Sequence, residues 1–235
     1  MTPDGAHRTG HRGGFWRSNS LTLTFGGAFL VVLAAQAVAG NAEFNEQLAV
    51  EGLQRIGLGP YLMSSDFAVD VTENWQSEFL QFFLYVYGTV YLLQRGSPES
   101  KPLDRVGIES ERDQRVGEHA TPESPRWAAD KGRRQSVYAH SLGLVMAGLF
   151  LLSWLAQSVA GTAAHNEMRL RQLQDPVSWA SYLGSADFWS RSLQNWQSEL
   201  LAVASMAVLS VYLRQRGSPE SKPVGSPHHA TGVEG

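Results

Sequence analysis

Four apolar stretches interrupt an otherwise polar chain. Residues 21–39 carry no charge over 19 positions, and residues 142–160 repeat the pattern. At about 1.5 Å per residue, such a helix reaches about 28 Å, close to the thickness of a bilayer's hydrocarbon core. Both stretches are apolar on most faces rather than along one stripe, as lipid-exposed helices are. The other two, residues 79–93 and 200–213, are shorter, about 22 Å as helices. A run of that length also suits a buried core helix. With the polar residues that precede them included, the pattern predicts membrane spans over 21–39, 75–94, 142–160 and 196–214.

The stretches recur because the chain repeats itself. Residues 17–102 align without a gap on residues 138–223, an offset of 121, with 37 identities in 86 positions. Asn74-Trp75-Gln76-Ser77-Glu78 returns as Asn195 to Glu199, and the nine residues from Gln94 to Pro102 return intact as Gln215 to Pro223. Self-similarity of this kind marks a duplicated structural unit. The expected organisation is a disordered tail at 1–14, a first repeat unit at 15–102, a flexible linker at 103–135, a second unit at 136–223, and a disordered tail at 224–235.

The positive-inside rule orients the spans. Of the 19 Lys and Arg residues, 15 fall before the first span, between the second and third, or after the fourth; 4 fall in the other two loops. Both termini and the linker are therefore expected on the cytoplasmic side. Each unit has an even number of spans, so the two should share one orientation, related by a pseudo-two-fold axis along the membrane normal. Arg8, Arg12 and Arg17 before an apolar run, with Ala37-Val38-Ala39 after it, also resemble a signal peptide. The internal recurrence as Ser158-Val159-Ala160 argues against that reading.

In the external loops, residues 45–55 and 167–173 read as helical continuations of the preceding span. Gly57, Gly59 and Pro60 are expected to break the first, and Pro176 the second. Ser64 and Ser185 read as N-caps of the next helix, with Asp66 and Asp187 in its first turn. Trp75, Trp179, Trp189 and Trp196 fit an interfacial aromatic belt. The linker carries seven basic and seven acidic residues without apolar periodicity.

Composition alone points elsewhere. A mean hydropathy of -0.20 and 43% hydrophobic residues look like a soluble globule. That mean averages four apolar spans with long polar loops. The net charge of -3 offers no footprint for nucleic acid. The chain has no cysteine, which excludes disulfides and cysteine-ligated metals. The histidines show no ligand spacing, and no hydrolase, Walker or dinucleotide fingerprint is present. No metal, cofactor or catalytic residue is expected.

Two boxes hold the candidate functional chemistry. A carboxylate near the membrane interior is costly and needs a partner. Glu78 shares a helical face with Asn74, and Glu199 with Asn195. Gln36 and Gln157 lie near the outer ends of the first and third spans, at a similar depth. Two polar clusters follow, Gln36, Asn74, Glu78 and Gln157, Asn195, Glu199, which either bind a cation, proton or polar solute or join helices by hydrogen bonds. The second box, Arg-Gly-Ser-Pro-Glu-Ser-Lys-Pro, stops each second helix with Gly96 or Gly217 and Pro98 or Pro219. Its cations, Arg95, Lys101, Arg216 and Lys222, are candidate contacts for anionic headgroups.

The two boxes, at 74–78 with 195–199 and at 95–102 with 216–223, resemble those of a group of bacterial integral-membrane proteins known only as a domain of unknown function. The resemblance spans residues 15–223 and implies a bacterial inner-membrane location and no assigned activity. The expected fold is an all-α membrane protein of four transmembrane helices in two tandem two-helix repeats. The expected function is non-enzymatic, in scaffolding, the envelope or stress. The alternative is a small transporter or channel built on the Glu78 and Glu199 clusters. The expected partners are the lipid bilayer and a second copy of the chain.

Overall fold

The computed structural model describes residues 14–233. The tail expected at 1–14 lies outside the described residues except for Gly14, as do 234 and 235. Among the described residues the fold is all-helical, with no strand. The chain divides into two compact units, Met1–Phe67 and Ala68–Gly235.

Among the described residues two helices, not four, are long and apolar enough to cross a membrane: α2 (Ser20–Val50) and α7 (Ser141–Arg171), each of 31 residues. The helices that follow each of them are long as well, α4 (Ser65–Gly88, 24 residues) and α9 (Ala186–Tyr212, 27 residues). Up to Glu78 and Glu199 they carry Asp66, Asp70, Glu73 and Glu78, or Asp187, Arg191 and Glu199, which leaves too short an apolar remainder. Helix α4 also stops at Gly88, six residues short of the predicted end. Gly88 and Thr89 stand where α9 has Leu209 and Ser210. Glycine favours the unfolded backbone, and the Thr89 hydroxyl donates to the Tyr85 carbonyl at 2.8 Å.

In the first unit, α1 (Phe15–Ser18) leads into α2. Helix α2 runs past the apolar stretch, as expected, but ends earlier than Gly57. Gly52 adopts φ +72° and donates to the Ala49 carbonyl, while Leu53 N–H donates to the Leu48 carbonyl at 2.8 Å. This is the Schellman arrangement, in which a left-handed residue satisfies the last carbonyls of a helix. The chain then turns back through α3 (Leu58–Leu62). Asn45 holds the return: its Oδ1 accepts from Ile56 N–H at 2.7 Å and its Nδ2 donates to the Ile56 carbonyl at 2.8 Å. Tyr61 packs against Gly40, where any Cβ would collide with the phenol hydroxyl. Phe44, Leu48 and Tyr61 form a buried cluster with Ile56 and Phe67. Ser64 caps α4 by accepting from Phe67 N–H at 3.2 Å.

The second unit repeats these devices 121 residues on. Asn166 exchanges the same two bonds with Val177, at 2.8 and 2.9 Å. Tyr182, on α8 (Trp179–Leu183), packs against Gly161. Ser185 caps α9 through Phe188 N–H at 3.2 Å. Helix α7 ends in the same Schellman arrangement, with Gln174 N–H donating to the Arg169 carbonyl at 2.8 Å. Here the left-handed residue is Leu173 (φ +57°), where the first copy has Gly52. Trp154 seats α7 on α9: its ring lies 5.9 Å from Phe188 and 5.8 Å from Trp196, and its Nε1 donates to Ser192 Oγ at 3.3 Å.

The segment expected as a flexible linker holds a 3₁₀ turn (Gly117–His119), α5 (Arg126–Ala129) and the start of α6 (Arg133–Ala139), joined by an edge-to-face contact of Trp127 on Tyr138. The C-terminal segment, expected as a disordered tail, folds back on residues 96–97. Gly232 N–H donates to the Ser97 carbonyl at 3.0 Å, and Gly96 N–H donates to Thr231 Oγ1 at 2.9 Å.

Candidate functional site

The second box explains its own identity. In each copy one glycine turns left-handed, Gly96 at φ +87° and Gly217 at φ +82°. The next serine caps the turn: Ser97 Oγ accepts from Glu99 N–H at 3.3 Å and Ser218 Oγ from Glu220 N–H at 3.2 Å. The second serine closes it. Ser100 Oγ accepts from Gln94 N–H at 3.0 Å and Ser221 Oγ from Gln215 N–H at 2.9 Å, and each donates to the following lysine's carbonyl at 3.1 Å. A glutamine, a glycine, two serines and a proline thus build one hydrogen-bonded knot twice. Side chains that bond local backbone groups in this way stabilise turns in place of helix.

The lysines that follow are occupied. Lys101 Nζ donates to the Gly107 carbonyl at 2.9 Å and pairs with Glu109 at 3.2 Å. Lys222 is only 1% exposed. Its ammonium donates to the carbonyls of Gly96, His228 (2.9 Å) and Ala230 (3.2 Å). Burial, then the charge of Arg214, lowers its pKa from the ordinary lysine value. Arg95 and Arg216 are the exposed cations of the two boxes.

The polar-cluster candidates separate. Asn74 Nδ2 donates to the Asp70 carbonyl at 2.7 Å and Asn195 Nδ2 to the Arg191 carbonyl at 2.9 Å, so both amides turn onto their own helices. Gln36 is half-buried on α2 in the first unit. Gln157 is buried on α7, and neither its amide nitrogen nor its oxygen has a hydrogen-bond partner. Glu78 is exposed and Glu199 half-buried, and their carboxylates lie near enough to repel each other. The structure therefore brings the two glutamates together and leaves both asparagines out.

What joins α4 to α9 is different chemistry. The buried Gln76 (0% exposed) accepts from Trp196 Nε1 at 2.7 Å and donates to its own helix at the Glu73 carbonyl, at 3.0 Å. One turn earlier, Arg191 donates to Glu73 at 3.2 Å and lies 3.6 Å from Asp187. Burial raises the pKa of Glu73 despite the attraction of Arg191, with Asp187 adding to the rise. Tyr182 donates to Asp187 at 3.0 Å; burial and that carboxylate raise the phenol's pKa. Further along, Ser97 and Ser210 hydroxyls meet at 3.5 Å, and Glu99 reaches Glu220. Gln76, Glu99 and Glu220 stand inside the repeated boxes, so their recurrence was the signal that could have singled them out. Glu73 and Arg191 have no identical counterpart in the other copy and carried none.

Between α4 and α9 run two adjoining grooves of 660 and 330 Å³, with Gln81, Tyr85, Glu99 and Val203 in the walls of both. Among the described residues no cluster of three or more metal-ligating side chains occurs.

The architecture is thus that of an all-helical protein with two bare apolar helices and a polar seam between two further ones. The chain belongs to the family described as a domain of unknown function, DUF6766, whose model matches residues 12–233. No curated protein and no solved structure matches it.

Proposed function

We propose that this chain is a non-enzymatic integral-membrane protein, a scaffold in the bacterial inner membrane, with both termini and residues 103–135 on the cytoplasmic side. The observation that carries the reading is the nakedness of α2 and α7. Only 6% of the apolar stretch of α2 and 11% of that of α7 is buried. A soluble protein that left two such helices in water would lose about 25 cal/mol for every Å² of apolar surface exposed. Lipid removes that cost.

In this reading α4 and α9 lie in the bilayer beside the two spans, giving two helices per repeat in a parallel arrangement. Their charged first halves sit at the outer interface, and the knots at 94–102 and 215–223 mark the inner one. Arg95 and Arg216 face the anionic headgroups there. Single cysteines introduced at positions 120 and 57 test the topology, because the chain has no cysteine of its own. Position 57 is expected to react with an impermeant maleimide in intact cells, and position 120 only after lysis. Labelling of position 120 in intact cells overturns the orientation. Release of the chain from membranes by carbonate overturns the integral-membrane reading.

A second reading has one specific observation in its favour, the nearness of Glu78 on α4 to Glu199 on α9. Two carboxylates held close favour a shared proton or cation, which suits a small transporter working as an oligomer. Ion flux in proteoliposomes that is lost in the Glu78→Gln/Glu199→Gln variant supports it. Equal flux in both proteins removes it.

A further inference from the structure

The knots at 94–102 and 215–223 place one pair of side chains that neither local folding nor the membrane reading uses. Glu99 and Glu220 occupy equivalent positions 121 residues apart. Their backbone N–H groups complete the turns, but the turns need no carboxylate. Even so, the two carboxyl groups reach each other. Among the described residues no lysine, arginine or histidine pairs with either.

Glu99 is half-buried and Glu220 exposed, and the groove walls beside them are mostly apolar. Both carboxylates line the 330 Å³ groove, whose other walls are Phe82, Tyr85, Ala202, Val203 and Met206, with the Gln81 amide. Glu99 also lines the 660 Å³ groove, which continues along α4 towards Tyr87 and Tyr91. Two like charges beside low-dielectric walls repel strongly and hold a local negative potential. The occupant that relieves this is positively charged. It is also mainly hydrocarbon, because the walls offer methyl groups and aromatic rings. A hard divalent metal ion needs about six oxygen ligands, and apolar walls do not supply them. The space matches the lower range of small-molecule pockets, about 300–1,000 Å³.

We propose that the groove between α4 and α9 is a binding site for a hydrophobic organic monocation, an amine or quaternary onium. Its charge sits between the Glu99 and Glu220 carboxylates, and its apolar body lies along Phe82, Tyr85, Val203 and Met206. The Tyr85 and Phe82 rings add cation–π attraction where they meet the charge. Burial, then the Glu220 carboxylate, raises the pKa of Glu99.

The probe is tetraphenylphosphonium, with equally shaped tetraphenylborate as the opposite charge, measured by equilibrium dialysis on the full chain in non-ionic detergent. Saturable binding of the cation is expected, without competition from the anion. The Glu99→Gln/Glu220→Gln variant, which keeps side-chain shape and removes the repulsion, is expected to bind about tenfold or more weakly, the scale of one partly buried charge contact. Val203→Trp fills the wall common to both grooves and is expected to abolish binding. Equal binding of cation and anion identifies an unselective lipid slot and overturns the proposal. So does unchanged affinity in the double variant, or absence of cation binding to the wild-type chain. The cation–anion comparison needs no variant, so a misfolded mutant leaves the proposal exposed to disproof. Because binding is measured on purified protein, its failure is independent of the topology result.

Discussion

The indole N–H of Trp196 donates to the Gln76 side-chain oxygen at 2.7 Å. Both residues belong to the repeated Asn-Trp-Gln-Ser-Glu box, yet they are not equivalent positions. The second residue of one copy meets the third residue of the other. Their counterparts in the other copy, Trp75 and Gln197, are exposed.

That asymmetry predicts unequal effects from mutations of neighbouring residues in one box. Trp196→Phe removes the donor and leaves a buried amide oxygen unpaired, at an expected cost of about 1–3 kcal/mol. Gln197→Ala, at an exposed site, is expected to stay within about 0.5 kcal/mol of wild type. Unfolding midpoints of the two variants in detergent give the comparison.

Leu173 is expected to be a stabilising target. It holds φ +57° and is 96% exposed at the end of α7, where Gly52 serves at the end of α2. A left-handed conformation costs a side-chain-bearing residue about 1–2 kcal/mol. Leu173→Gly should raise stability by about 1 kcal/mol, less the extra entropy of glycine in the unfolded chain. Gly52→Leu should lower it by a similar amount. A lower midpoint for Leu173→Gly would disprove the assignment.

The asparagine clamps are expected to matter equally in both copies. Asn45 and Asn166 each exchange two hydrogen bonds with one backbone residue. Asn→Ala at either site leaves a partly buried N–H without its partner, at about 1–3 kcal/mol, while the Ile56 carbonyl keeps a long bond from Asn41 Nδ2 at 3.4 Å. Hydrogen exchange should show the amides of Ile56 or Val177 losing protection in the matching variant, with the other copy unchanged.

Stability should depend on pH with a definite sign. The folded-state pKa of Glu99 lies above the ordinary 4.5, through burial and then the Glu220 carboxylate, and that of Glu73 is raised through burial. A carboxyl with a raised folded pKa stabilises fully below its ordinary value and loses that contribution as pH rises through the folded value. The unfolding midpoint is therefore expected to fall from about pH 4.5 upwards. Glu99→Gln should flatten the fall and raise the midpoint at neutral pH. A midpoint that climbs over this range in wild type would refute the pairing.

Lys222 and Lys101 should respond differently to the same change. Lys222→Met removes a buried ammonium from four carbonyls, of Gly96, Pro227, His228 and Ala230, that join residue 96 to the C-terminal segment, with an expected loss of about 1.5–3 kcal/mol. The more exposed Lys101 pairs with Glu109, and Lys101→Met is expected to cost about 1 kcal/mol or less. Paired thermal melts test the difference.

What the sequence determined by itself is local. Ser64 and Ser185 were legible as caps because a cap needs only a hydroxyl two or three residues ahead of an unpaired N–H. The apolar character of α2 and α7 is a property of their composition and needs no partner. The recurrence at 121 residues singled out the second box, whose nine residues return intact. The end of α4 was misplaced because apolar character continues past Gly88 while helix-forming tendency does not.

Which side chains meet across helices follows from the packing in three dimensions. Asn74 and Glu78 share a face by spacing, but an asparagine in a helix finds its own i−4 carbonyl closer than any neighbour. Lys222 reads as a surface cation until the chain beyond it folds back and encloses its ammonium. The pairing of Gln76 with Trp196, of Glu73 with Arg191 and of Glu99 with Glu220 depends on the rotation and stagger of α4 against α9. Those are fixed where the two helices bond each other, at Trp196 with Gln76 and at Arg191 with Glu73. A linear pattern carries the faces of each helix, and the contact between two faces is a property of both.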